Sequence, residues 1–86
     1  MAYSVGVQRR AQKQIARLPA TTQDRIEDAL RALAEDPRPR SSRRLRNREG
    51  LRLRVGDYRV IYEIDEARQT VTVFQVGHRR DVYRQG

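Results

Sequence analysis

GLRLRVGDYRVIY, residues Gly50 to Tyr62, is the stretch that decides the fold. Leu51, Leu53 and Val55 alternate with Arg52 and Arg54, the period of a strand that buries one face and presents guanidinium groups on the other. Gly56-Asp57 separates this run from a second β-rich run, Tyr58 to Ile64, and such a pair between two strands signals a hairpin. Arg59 interrupts the otherwise apolar second strand. It needs either an acidic partner inside the protein, for which Glu63 and Asp65 are the candidates, or an anionic ligand outside it.

Toward the N-terminus, Tyr3, Val5 and Val7 alternate with small residues and predict a short strand. The period then changes. Val7, Ala11, Ile15 and Leu18 fall at helical spacing up to Pro19. Thr21 and Asp24 resemble a capping box with a shortened acid, opening a second helix with the stripe Ile26, Ala29, Leu30, Leu33 and Ala34, closed by Pro37. So short a connection between helices implies an antiparallel αα-hairpin. PRPRSSRR, Pro37 to Arg44, has no periodicity and reads as a mobile basic loop. Leu45 is the first anchor after it, expected on a short strand with Arg44 and Arg46 turned to solvent or to a ligand.

Toward the C-terminus, a turn around Glu66 to Gln69 leads to a strand rich in β-branched residues, Thr70 to Val76, with Gly77 ending the regular pattern. The order is βααββββ. It implies a single α+β domain over residues 1–86, an antiparallel sheet covered on one face by the N-terminal helical hairpin and open on the other. Arg52, Arg54 and Arg59 fall on that open face by alternation.

Composition excludes several chemistries. The chain has no cysteine, hence no disulfide, thiolate zinc site or cysteine nucleophile. No apolar run approaches the roughly 20 residues of a membrane span, and a cytoplasmic protein is expected. The net charge of +8 is concentrated in the middle of the chain. Residues 37–62 hold nine arginines against only Glu49 and Asp57, a net of +7, while the flanking segments are close to neutral. Of the 19 basic residues only Lys13 is not arginine, a bias that suits bidentate phosphate binding and base stacking.

Four segments together, EDP at Glu35 to Pro37, RLRN at Arg44 to Asn47, GDYRVIYEID at Gly56 to Asp65 and VGHRRDVYR at Val76 to Arg84, resemble the RelE branch of the RelE/ParE superfamily of toxins. The resemblance covers nearly the whole chain. It implies the toxin of a type II toxin-antitoxin system, a metal-independent endoribonuclease that cuts messenger RNA on the ribosome without a cofactor. The ribose 2′-hydroxyl attacks the adjacent phosphate, leaving a cyclic phosphate and a 5′-hydroxyl. In that scheme Arg59 holds the scissile phosphate, Arg79 contacts phosphate or serves as acid, and Tyr83 packs on the substrate and assists proton removal. Arg44, Arg46, Arg52, Arg54 and Arg80 are the expected RNA-binding arginines. The implied partners are the ribosome, messenger RNA and an acidic RelB-like antitoxin that folds around the toxin, with operator DNA contacted only through the antitoxin.

The sequence also departs from that family. The best-known relatives carry two lysines where Gly50 and Arg52 stand here, and a guanidinium is a poor general base. His78, the only histidine, is therefore a second candidate for proton transfer. Two other readings stay open at this point: a ParE-type gyrase inhibitor of the same fold, and a basic RNA- or ribosome-binding module without catalysis.

Overall fold

The computed structural model describes residues 2–78. Seven elements follow in the order β1 (Ser4–Val7), α1 (Arg9–Ala16), α2 (Ala20–Glu35), β2 (Ser42–Arg44), β3 (Leu51–Val55), β4 (Tyr58–Asp65) and β5 (Thr70–His78). The α+β class and the βααββββ order are as the sequence implies. The strands form one sheet in the order β1-β5-β4-β3-β2. Strands β2 to β5 pair antiparallel, and β1 joins the far edge parallel to β5. A parallel neighbour needs a crossover connection, and the helical hairpin supplies it.

The hairpin at the centre forms as its residues demand. Val55 pairs with Tyr58, so Gly56 and Asp57 make a two-residue loop. Gly56 takes a φ of 59°, the glycine-first arrangement of a type II′ turn, whose twist matches that of the strands it joins. β4 and β5 then pair over their whole length with one interruption. Ile61 faces Gln75 but Tyr62 faces Val73, leaving Phe74 as the extra residue of a bulge that bends the sheet.

The helices cover one face. Along α2, Ile26, Leu30 and Leu33 recur at one helical face and are buried against Leu53, Val60, Tyr62, Val71, Val73 and Val76 of the sheet. α1 has only eight residues, too few to persist alone, and is held by the fully buried Ala11 and by Ile15. Its Gln14 also accepts a hydrogen bond from the Val76 backbone N–H at 2.7 Å, satisfying β5 beyond the end of β1. Tyr62 is fully buried, and its hydroxyl donates to the Pro37 carbonyl at 2.7 Å. Burial, the largest influence, holds its pKa above the ordinary 10.0. Among the described residues no helix is long and apolar enough to cross a membrane.

Three local expectations are corrected. The capping box at Thr21 and Asp24 does not form, because α2 begins at Ala20 with Pro19 as its N-cap and no side-chain cap. Proline's fixed φ sets the chain for helix entry one residue earlier, and Gln23 ties the turn by donating to the Leu18 carbonyl at 2.9 Å. The segment from Pro37 to Arg44 is not all loop. Its end, Ser42–Arg44, is edge strand β2, while Leu45 lies beyond that strand and donates its N–H to the Gly50 carbonyl at 3.1 Å. Finally, β5 does not stop at Gly77. Pairing with β4 carries it through His78, since the ladder opposite Tyr58 and Arg59 remains available.

Candidate nucleic-acid interface

Register decides which side chains share a face. Directly opposed residues of an antiparallel pair lie on the same side of the sheet. Leu53 opposes Val60 and Leu51 opposes Tyr62 on the helix side. On the other side Arg54 opposes Arg59, and Arg43 of β2 opposes Arg52 of β3. Four arginines from three strands therefore gather in two adjacent rows, lining with Ser41 a groove of about 340 Å³.

Arg43, Arg54 and Arg59 donate to main-chain oxygens. Arg43 Nη1 donates to the carbonyls of Arg40 at 2.7 Å and Ser42 at 2.8 Å. Arg54 Nε reaches the Gly56 carbonyl at 3.4 Å, and Arg59 Nη1 the Tyr58 carbonyl at 3.5 Å. Elsewhere among the described residues, exposed ion pairs join Arg31 to Asp28, Arg38 to Glu66 and Arg68 to Asp65. Neither internal partner considered for Arg59 reaches it. Glu63 lies four residues along the same strand, about 13 Å away at the rise of a β-strand, and Asp65 is turned to Arg68 at 3.9 Å. Like charges directly opposite each other cost stability, on the order of a few tenths of a kcal/mol per pair. Two such rows side by side prepare a site for anions.

The other sequence candidates are dispersed. Arg44 follows Arg43 but opposes Leu51, so alternation turns it to the helix side of the edge strand. It borders another groove of about 690 Å³ along the sheet edge, which Arg43 also lines, with Arg38, Arg40, Glu49 and Glu63. Arg46 is exposed in the turn between β2 and β3. His78 opposes Tyr58, which the sheet alternation places with Val55 on the helix side, and the two rings meet edge to face with centroids 5.8 Å apart. The structure thus does not bring His78 together with the four arginines. Arg79, Arg80 and Tyr83 lie outside the described residues.

Sequence reading overlooked Arg43. Within an arginine-rich run nothing marks it except parity, and parity is visible only once β2 has a register. Gly50 also gains a reason. Its φ is 117°, and a Cβ there would come within 3.0 Å of the Tyr62 carbonyl oxygen, so a lysine does not fit this backbone.

The middle of this sheet face is closed more tightly than expected. Ile61, between Arg52 and Gln75 in the ladder, is 4% exposed and Gln75 6%, yet Ile61 is no part of the core beneath the helices.

Comparison with known families gives the chain its place. The family model described as ParE toxin of type II toxin-antitoxin system, parDE, matches residues 5–83. The chain belongs to this toxin family. Within the RelE/ParE superfamily, the solved structures it resembles include RelE toxins. The toxin-antitoxin complex RelBE2 from Mycobacterium tuberculosis contains a chain 30% identical, with a TM-score of 0.80, covering 92% of this chain and 100% of that one. The archaeal RelE-RelB complex from Pyrococcus horikoshii OT3 matches at 25% identity and a TM-score of 0.79, over 92% of this chain and 97% of that one. The intact RelBE complex of E. coli matches at 28% identity and a TM-score of 0.74, over 90% and 96%. No curated protein matches the chain. The protein is thus a toxin of the type II toxin-antitoxin class.

Proposed function

We propose that this toxin is a metal-independent endoribonuclease that cleaves messenger RNA on the ribosome and so arrests translation. The observation that carries the reading is the Arg54–Arg59 row in the groove beside Arg43 and Arg52. Likeness to RelE structures at 25–30% identity supports it. Attack of a 2′-oxygen on phosphorus builds charge on the phosphorane oxygens, and preorganised guanidinium groups stabilise that charge. The bond formed is 2′-O to phosphorus, the bond broken is phosphorus to 5′-O, and the products are a cyclic phosphate and a 5′-hydroxyl. Arg59 holds the scissile phosphate, and Arg79 adds a further charge at it or protonates the leaving oxygen. Proton removal falls to Tyr83, since His78 sits with Tyr58 on the other side of the sheet.

The charge of the groove also favours an acidic antitoxin as partner. The matched relatives were solved as complexes with RelB-type antitoxins, and an acidic segment folding over this toxin would neutralise it. Operator DNA would be reached through that antitoxin. The ribosome places the activity in the cytoplasm, with the chain acting as one toxin domain.

A second reading is favoured by the family model, which describes a ParE toxin: inhibition of DNA gyrase without RNA cleavage. One induction experiment separates the two. Mapping of transcript ends on ribosomes, with gyrase-linked DNA breaks scored in the same cells, should give new 5′-hydroxyl ends and no rise in breaks. Breaks without new ends would replace the nuclease by the gyrase inhibitor.

A further inference from the structure

The groove holds four guanidinium groups, in two rows of two. Arg54 and Arg59 oppose each other across β3 and β4, and Arg43 and Arg52 oppose each other across β2 and β3. Arg52 and Arg54 are two residues apart on one strand, so the rows stand about 6.7 Å apart along it. That step suits neighbouring phosphates of an extended single strand. We propose that Arg43 and Arg52 form a second phosphate subsite beside Arg54 and Arg59, so that the groove grips two successive phosphates of single-stranded RNA. The inference rests on the reading of this groove as an RNA site and adds a residue, Arg43, and a length of substrate to it.

Arg43 is built for such a role. One of its guanidinium nitrogens is fixed by two main-chain carbonyls, Arg40 and Ser42, at 2.7 and 2.8 Å. The side chain is therefore ordered before any ligand arrives, and a planar fork held by one nitrogen still has donors on the others. Preorganisation of this kind lowers the entropy cost of binding. Its carrier, β2, is anchored in turn. The Ser42 N–H and hydroxyl both donate to the Pro39 carbonyl, at 2.9 and 2.7 Å, closing the turn that precedes the strand.

The lining argues for a nucleic-acid backbone over an acidic peptide. Among the described residues, four arginines and Ser41 line the groove and no apolar side chain does. A peptide that folds on binding relies on apolar anchors seated in pockets. A phosphodiester backbone needs only charge and donors at a regular step.

The test uses the purified chain off the ribosome, with 2′-O-methyl RNA that cannot be cut. A trinucleotide without terminal phosphates carries two phosphodiesters and a dinucleotide carries one. Backbone amide shifts are followed by NMR at several salt concentrations. Shifts should fall on β2, β3 and the start of β4. The slope of log affinity against log salt should be steeper for the trinucleotide by about 0.7, the value for one more neutralised phosphate on a single strand. Arg43→Gln should weaken the trinucleotide roughly tenfold, as loss of a charge-assisted contact does, and bring its slope toward that of the dinucleotide. Arg52→Gln, which leaves the Arg43 anchors untouched, should do the same and guards against a merely disordered β2. Arg17→Gln, an equal charge change on the helical layer, should do neither. Equal slopes for the two ligands, or an Arg43→Gln variant indistinguishable from Arg17→Gln, would overturn the subsite. So would tighter binding of an acidic tetrapeptide on the same amides. Cleavage on the ribosome is scored separately. Two-phosphate binding without cleavage keeps the subsite and removes the nuclease, whereas cleavage with an inert Arg43 removes the subsite alone.

Discussion

The sheet face turned away from the helices has two halves of opposite character. On β2, β3 and the start of β4 it carries Arg43, Arg52, Arg54 and Arg59 around one groove. On β1, β5 and the end of β4 it carries Ser4, Gly6, Thr70, Thr72, Glu63 and Asp65, around a second groove of about 500 Å³. The second half is locally compatible. Glu63 opposes Thr72 and Asp65 opposes Thr70, carboxylate beside hydroxyl, and Asp65 also caps its own turn by accepting the Arg68 N–H at 3.1 Å. In the first half like charges oppose each other twice, an arrangement that works against the sheet. A fold that tolerates this conflict in one half and avoids it in the other marks the first half as the working surface.

The largest expected difference between the halves is in activity. Arg59→Ala should reduce transcript cleavage on ribosomes by about 10²-fold or more at every pH, since it removes charge rather than a proton acceptor. Thr72→Ala, on the other half, should stay within about 2-fold, as a surface change does. Comparable losses from both would mean that the division has no functional meaning.

A second substitution tests how the basic half is held in place. The Tyr62 hydroxyl supports the Pro37 carbonyl, at the root of the segment that carries Arg43. Tyr62→Phe leaves that buried carbonyl without its donor and should cost about 1–3 kcal/mol in urea unfolding near neutral pH. The pH dependence has a definite sign. Burial raises the folded pKa above 10.0, so the contribution is intact below pH 10.0 and is lost as pH rises toward the folded value. The gap between the parent chain and Tyr62→Phe should therefore narrow above pH 10.0. A constant gap across that range would show that the hydroxyl ionises alike in both states.

The smallest effect expected is across the boundary. Glu63 stands on the same face as the arginines, about 13 Å from Arg59 by strand geometry, beyond one screening length at physiological salt. Glu63→Gln should tighten binding of a short RNA by no more than about 2-fold, and less as salt rises. A tenfold gain would show that the two halves act as one field.

Much of this was legible in the chain. Alternation of Leu51, Leu53 and Val55 with Arg52 and Arg54, the Gly56-Asp57 loop and the helical stripe through Ile26, Leu30 and Leu33 determined the hairpin, the buried faces and the α+β class. These are local matters, since side-chain direction follows from a period of two or of 3.6 residues and turn type from glycine's freedom at positive φ. The arginine-rich middle likewise located the positive field, because charge density along the chain needs no coordinates. Pairing partners were not legible. That β1 runs parallel to β5, that Arg43 rather than Arg44 joins Arg52, and that His78 meets Tyr58 edge to face away from the groove all depend on register. A shift of one residue exchanges the two faces of a strand, and register is set by contacts between segments far apart in sequence. Only the tertiary structure could therefore decide which of many equivalent arginines meet.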